Sequence, residues 1–195
     1  MKRILVVLDL DETLIHSIHS PIDDQWDFEI YHYKVYKRPY LDEFLERIKR
    51  NFRVAIWSSA SDDYVKKIVE EIFPQDYPLE FVWGRSRCTR RLDHQQMEIT
   101  GYHDPYHHSF YVKRPSKLKR SRKEKLEKVI IVDDTPNKAI FNYGNAIYPT
   151  EFTGDPNDDE LLWLIQYLDT LKEVDNVRTI EKRGWKEKIR NGRSN

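Results

Sequence analysis

Residues 3–13 read Arg-Ile-Leu-Val-Val-Leu-Asp-Leu-Asp-Glu-Thr, an unbroken apolar run that ends in two aspartates one residue apart and then a threonine. Ile4 to Leu8 show no polar alternation, the pattern of a strand covered on both faces, as in a parallel sheet lying between helices. Asp9 and Asp11 follow directly, and a carboxylate beside a buried strand is costly unless a cation or several donors compensate it. The run therefore predicts a buried β-strand with positive charge at its end.

Two further segments repeat the arrangement. Arg53-Val54-Ala55-Ile56-Trp57 leads into Ser58 and Ser59, and Val129-Ile130-Ile131-Val132 leads into Asp133 and Asp134. Asp and Ser terminate strands routinely, so any one of these endings is unremarkable alone. In open α/β sheets, however, ligands gather outside the carboxyl ends of the strands, and three such endings point to one polar site.

Between these strands the periodicity turns helical. Arg38-Pro39 opens a helix with proline at the first helical position and Leu41, Phe44, Leu45 and Ile48 on one face, ending near Asn51. Ser61 caps the next, with Asp62 and Asp63 in its first turn and Val65, Ile68, Val69 and Ile72 inward, until Pro74 stops it. Leu79 to Trp83 reads as a short strand, Ser116 to Lys128 as a basic helix, and Pro136 to Asn142 as a helix before a strand at Ala146 to Tyr148. Helices follow at 158–170 and 178–190. Trp26 to Tyr36 alternates large apolar and polar residues, a solvent-facing hairpin inserted after the first strand at about 26–37. From 84 to 109 the pattern dissolves into Arg, His, Tyr and Gly, a long loop or flap.

The fold class expected is α/β, a doubly wound, Rossmann-like, mainly parallel sheet with helices on both faces and a small hairpin insertion. One domain is expected over 1–175, followed by a C-terminal helix and tail over 176–195. The chain's 195 residues are enough for a substantial core, and 33 basic residues cancel 33 acidic ones, so no global field argues for nucleic acid or an anionic membrane. The first apolar run is too short for a signal peptide or membrane span. A single cysteine, Cys88, provides no disulfide framework. A soluble, intracellular protein is expected, cytoplasmic or nuclear in a eukaryote; the oligomeric state is left open.

The carboxylate endings suit a phosphate ester held with a hard divalent cation. Mg²⁺ takes oxygen ligands and is usually held by one or two carboxylates plus the substrate's phosphate; Asp9, Asp133 and Asp134 supply such ligands. An aspartate can also attack phosphorus, splitting one hard hydrolysis into two displacements, and Asp9, at the strand's very end, is the candidate nucleophile. Asp11, two residues on and so on the same face, is the candidate acid and base. Ser58, Ser59 and the amides after them offer donors to the phosphoryl oxygens, and Lys113 offers an ammonium. Lys113 belongs to a largely solvated basic run, but it directly follows the strand-like Tyr111-Val112, which aims it at the same edge.

These motifs resemble those of the haloacid-dehalogenase-like phosphatases. Asp9-Leu10-Asp11-Glu12-Thr13 is similar to the first motif, Ser58 to the second, Lys113 to the third and Asp133-Asp134 to the fourth, in the same order. More narrowly, DLDETL at 9–14, KRPYLDEFL at 37–45, IWSSAS at 56–61, YVK at 111–113 and VDDTP at 132–136 resemble the FCP/SCP branch, the CTD-phosphatase-like or NLI-interacting-factor-like family. The likeness spans roughly 3–175, and ELLWLIQYL at 160–168 extends it toward the ubiquitin-like-domain-containing members. It implies a protein-serine/threonine phosphatase with Mg²⁺ as cofactor and a phosphoprotein or phosphopeptide as partner. Asp9 would be nucleophile and metal ligand, and Asp11 acid/base with its carbonyl on the metal. Thr13, Ser58, Ser59 and Lys113 would lie at the phosphate, with Asp133 and Asp134 as metal-site carboxylates. The small CTD phosphatases carry Asp-Asn where this chain has Asp133-Asp134.

A phosphorelay receiver domain uses similar groups, but there the acidic pair comes first and the phosphoacceptor later, the reverse of the order here. A nucleic-acid 3′-phosphatase or a phosphatase of small esters remains open, because the basic 113–128 run with Tyr102, Tyr106 and Phe110 could hold a strand. A non-catalytic phosphoprotein-binding module also remains, although every motif residue is present. His94, His103, His107 and His108 share one segment but match no zinc-ligand spacing. Trp26, Tyr31, Tyr33 and Tyr36 are candidates for an apolar docking groove or for ordinary hairpin packing.

Overall fold

The computed structural model describes residues 2–101 and 108–192. In chain order it contains β1 (Leu5–Leu8), β2 (Ile15–Ile18), β3 (Phe28–Ile30), β4 (Tyr33–Lys37), α1 (Leu41–Asn51), β5 (Arg53–Trp57), α2 (Asp62–Ile72) and β6 (Leu79–Trp83). There follow β7 (Thr89–Leu92), α3 (His94–Thr100), β8 (Ser109–Val112), α4 (Pro115–Arg122), β9 (Val129–Val132), β10 (Ala146–Ile147), α5 (Glu160–Leu171) and α6 (Trp185–Gly192). The central sheet has the order β10-β9-β1-β5-β6 and every pairing in it is parallel.

The apolar run at the N-terminus sits in the middle of that sheet, with all four residues of β1 buried. Its side chains divide between two cores. Val6 and Leu8 pack with Phe44 and Ile48 of α1, Ile68 of α2, and Leu164 and Leu168 of α5. Leu5 and Val7 pack on the other face with Ala55, Trp57, Ile131 and Leu118 of α4. Each such side chain taken out of water contributes roughly 1.5–3 kcal/mol, so a strand with no polar alternation is stable only in this central place. Helices thus lie on both faces, as the sequence predicts.

α1 buries Leu41, Phe44, Leu45 and Ile48, and its acidic first turn and basic last turn complement the helix dipole. Its start differs from expectation. Pro39 lies outside the helix, and Tyr40 at the cap adopts a left-handed conformation with φ 64°. Ser61 occupies the cap position of α2, but its side chain makes no capping hydrogen bond.

Five departures share a physical cause, namely short or exposed elements with little apolar signature. The inserted hairpin is a three-stranded antiparallel sheet, β2-β4-β3, because Ile15-His16-Ser17-Ile18 pairs with β4 although its residues are half polar. The 84–109 segment is not simply a loop: β7 pairs antiparallel with β8, and α3 follows β7 with Asp93 as its cap. The expected helix over 116–128 stops at Arg122, where Lys123 turns left-handed at φ 56°. The helix expected over 178–190 begins only at Trp185, after Gly184 with φ 59°. Pro136 to Ala139 forms a single 3-10 turn rather than a longer helix. Among the described residues no helix is long and apolar enough to cross a membrane.

Candidate active site

Register builds the site. Leu8 lies opposite Ile56 on one side and Val132 on the other, so the chain leaves β1, β5 and β9 side by side at Asp9, Ser58 and Asp133. The Asp9 amide still donates to the Val132 carbonyl at 2.9 Å, and the Ser58 amide to the Trp83 carbonyl at 2.9 Å. All three of these side chains are buried.

The Asp9 carboxylate meets three donors. Its Oδ1 accepts from the Leu10 amide at 2.8 Å, and its Oδ2 lies 2.9 Å from Nζ of both Lys113 and Lys138. Lys113 also reaches Asp133 Oδ2 at 2.6 Å. It is fully buried at the end of β8, its amide donating to the Lys138 carbonyl and its own carbonyl accepting from Asn142. Asp133 Oδ1 accepts from the Thr135 amide at 3.0 Å. Asp134 takes hydrogen bonds from the Thr13 hydroxyl at 2.9 Å and the Thr135 hydroxyl at 2.8 Å. Carboxylate oxygens of Asp9, Asp133 and Asp134 all lie within 4.8 Å of one another, the one such acidic group among the described residues.

Charge in this edge is unevenly distributed. Burial alone would push the Asp9 carboxyl up, but the ammonium groups of Lys113 and Lys138 outweigh it and hold that carboxyl below its ordinary range. Asp133 moves the other way, up to about 7, because burial and then the Asp9 charge outweigh the pull of Lys113. Asp11 is also raised, chiefly by burial, against the opposing hydrogen bond from Tyr64. That bond runs from the Tyr64 hydroxyl to Asp11 Oδ1 at 2.7 Å, and Ser58 Oγ stands 3.5 Å from Asp11 Oδ2. Glu12, in a left-handed turn at φ 58°, is pushed up to about 7 by burial and by Asp11 and Asp134.

The eight residues singled out in the sequence thus converge, with two qualifications. Thr13 is buried and its hydroxyl is committed to Asp134, linking the first motif to the fourth. Ser59 is half-buried beside Ser58, its carbonyl accepting from Arg85 at 2.8 Å. Sequence reasoning missed Lys138 and Tyr64. Lys138 stands four residues after Asp134, the spacing at which a single helical turn brings side chains together, and Tyr64 shares the α2 face of Ile68 and Ile72.

Of the aromatic residues proposed for docking, Tyr31 and Tyr33 line a cleft of about 300 Å³ with Asp11, Tyr64 and Arg85. Tyr36 instead accepts from the Ile22 and Asp23 amides, as hairpin packing. His103, His107, Tyr102 and Tyr106 lie outside the described residues.

The fold recurs among solved structures. Fcp1, an essential RNA polymerase II CTD phosphatase, superposes with a TM-score of 0.64 at 14% identity, covering 90% of this chain and 68% of that one. An uncharacterized protein from Listeria monocytogenes serotype 4b superposes at 0.56 with 17% identity, covering 88% and 99%. At such identities the likeness speaks for the fold alone, a Rossmann-like parallel sheet between helices.

Sequence narrows the class. The family model described as NLI interacting factor-like phosphatase matches residues 4–178, and the chain belongs to that family. The human CTD small phosphatase-like protein is 34% identical over 179 residues, 88% of this chain and 57% of its own length. Human carboxy-terminal domain RNA polymerase II polypeptide A small phosphatase 1 is 29% identical over 185 residues, 91% and 63%. Phosphatase Herzog of Drosophila melanogaster is 28% identical over 187 residues, 92% and 47%. The chain therefore spans only about half to two thirds of the length of these relatives.

Proposed function

We propose that this chain is a divalent-cation-dependent phosphatase that works through an aspartyl-phosphate on Asp9, acting on phosphoserine or phosphothreonine in a protein. The observation that carries this reading is the Asp9 carboxylate itself. It is buried at a strand end, kept ionised by two ammonium groups, and followed two residues later by a carboxyl that burial inclines to keep its proton. A nucleophile and a proton donor with opposed preferences, side by side, are the two groups such a displacement needs.

In the first step a carboxylate oxygen of Asp9 forms a bond to phosphorus as the bond from phosphorus to the substrate's hydroxyl oxygen breaks. Asp11 gives its proton to that leaving oxygen. In the second step Asp11 takes a proton from water as the water oxygen attacks the phosphoryl group, releasing inorganic phosphate and restoring Asp9. Tyr64, whose hydroxyl is kept protonated by burial and the neighbouring Asp11 charge, orients Asp11 throughout. Ser58, Ser59 and Lys113 meet the charge on the phosphoryl oxygens. Thr13 contributes through Asp134, holding it against the first motif.

The donor set fits Mg²⁺. Asp9, Asp133 and Asp134 present hard oxygen atoms within 4.8 Å of one another, and three carboxylates face only two ammonium groups. A bound Mg²⁺ would neutralise the phosphate's charge for attack. The protein substrate is supported by the family and by the aromatic cleft of about 300 Å³ beside Asp11, which has room for a side chain next to the phosphorylated residue. The expected outcome is Mg²⁺-dependent hydrolysis of p-nitrophenyl phosphate that Asp9→Asn lowers at least about a thousandfold. Unchanged turnover in that variant overturns the nucleophile. Phosphoserine peptides compared with 3′-phosphorylated oligonucleotides under identical conditions decide the substrate, and turnover of the oligonucleotides alone overturns the protein reading.

A further inference from the structure

Lys113 and Lys138 both touch Asp9, yet they are held differently. Lys113 is fully buried and reaches Asp9 and Asp133. Lys138 rides on the 3-10 turn Pro136–Ala139 with its side chain 19% exposed, and its Nζ lies 2.9 Å from Asp9 Oδ2, 3.9 Å from Asp133 Oδ1 and 4.0 Å from Asp134 Oδ1. Its ammonium therefore stands among the same three carboxylates whose oxygens form the acidic group. That is the place a divalent cation would take.

We propose that Lys138 is a built-in counter-ion to the cation site: it holds the three carboxylates together when no metal is bound and must give them up for the metal to enter. The inference rests on the reading of this edge as a divalent-cation site.

Charge counting supports the exchange. Three carboxylates against Lys113 and a divalent cation balance, whereas a second ammonium left among them makes the site positive. A divalent cation and the Lys138 ammonium a few ångströms apart repel by several kcal/mol even at an effective dielectric of about 20, and three carboxylates already balanced by Lys113 and the metal no longer offset that repulsion. Lys113 is fixed by its backbone hydrogen bonds to Lys138 and Asn142. Lys138 is the one with a route to solvent. Displaced outward, its ammonium carries the surplus positive charge to the mouth of the site, where a phosphate dianion arrives. Lys138 is thus a residue that sets the metal threshold and binds substrate only after the metal is in.

The test is Mg²⁺ affinity by calorimetry and by thermal shift on the whole chain, free of substrate. Lys138→Met is expected to bind Mg²⁺ about tenfold more tightly or better than the wild type and to melt at a lower temperature than the wild type when no metal is present. Asp134→Asn is expected to lose Mg²⁺ binding. Equal affinity in wild type and Lys138→Met, with binding lost in Asp134→Asn, overturns the counter-ion and leaves the cation site standing. No Mg²⁺ binding by any of the three overturns both. Should Lys138→Met not fold, Lys138→Gln takes its place. An independent readout needs no variant: the side-chain carbon resonance of Lys138 in the isotope-labelled wild type should shift as Mg²⁺ is added. A resonance unmoved at saturation overturns the proposal.

Discussion

The two ends of the central sheet treat carboxylates in opposite ways. At the end where β5 begins, Arg53 donates to Glu80 at 2.6 Å and to Glu124 at 2.7 Å, and Lys2 adds a further contact to Glu124 at 2.9 Å. Glu80 is held below its ordinary range chiefly by the Arg53 hydrogen bond; Glu124 is held there by Arg53 and Lys2 against the cost of burial. At the end where β1, β5 and β9 finish, Asp9 is held down by Lys113 and Lys138 against burial, but Asp11, Glu12 and Asp133 are all pushed up. One end satisfies its charges by local pairing and so stabilises the fold. The other leaves carboxyls short of compensation, an arrangement that costs stability and is useful only for chemistry.

That contrast can be broken in three ways. The largest effect belongs to the acidic end: Asp11→Asn, which keeps the acceptor for Tyr64 but cannot carry a proton, should lower kcat on p-nitrophenyl phosphate by about 10²- to 10⁴-fold. The same substitution should raise Tm by about 2–4 °C, because it removes a charge that burial disfavours. A loss of stability instead would show that the two ends are alike. The next effect belongs to the paired end, where Arg53→Met leaves Glu124 and Glu80 without their arginine. Urea unfolding should report a loss of about 2–3 kcal/mol, with kcat unchanged, since Arg53 sits at the far edge of the sheet.

The smallest effect is in pH. Glu80 and Glu124 have folded values below those of the unfolded chain, so their stabilisation is complete above about pH 4.5 and is lost as pH falls through the depressed values. Acid unfolding of Arg53→Met should therefore show a shallower fall between roughly pH 4.5 and 3 than the wild type. Parallel curves would remove Arg53 as the cause of those shifts.

The contrast also explains what could be read from the residues alone. β1, β5 and β9 were legible because apolar runs such as Val129 to Val132 are strands buried on both faces, and their polar ends mark the site. Asp9, Asp11, Ser58, Asp133 and Asp134 come with those strands. Lys113 was marked out from its basic neighbours only by its place directly after the strand-like Tyr111-Val112, a local signal that the family resemblance reinforced. Lys138 and Tyr64 went unseen because their importance is a matter of distance across the site rather than of pattern along the chain. β7 carries Thr-Arg-Arg-Leu with no buried residue, and is held by pairing to β8 and by contacts such as Arg85 over Tyr111 and Arg91 over Phe141. Cross-strand and cation-π contacts of this kind leave no hydrophobic period to find.

Lys113 itself belongs to that last unit. The strand that delivers it, β8, pairs with β7 in a separate two-stranded sheet and not with the central one. The principal buried cation of the site is therefore delivered by a small two-stranded sheet outside the strands that bear the aspartates, and its ion pairs with Asp9 and Asp133 join the two. A substitution in β7 or β8 that shifts Lys113 changes the electric potential at Asp9 without altering any strand of the central sheet.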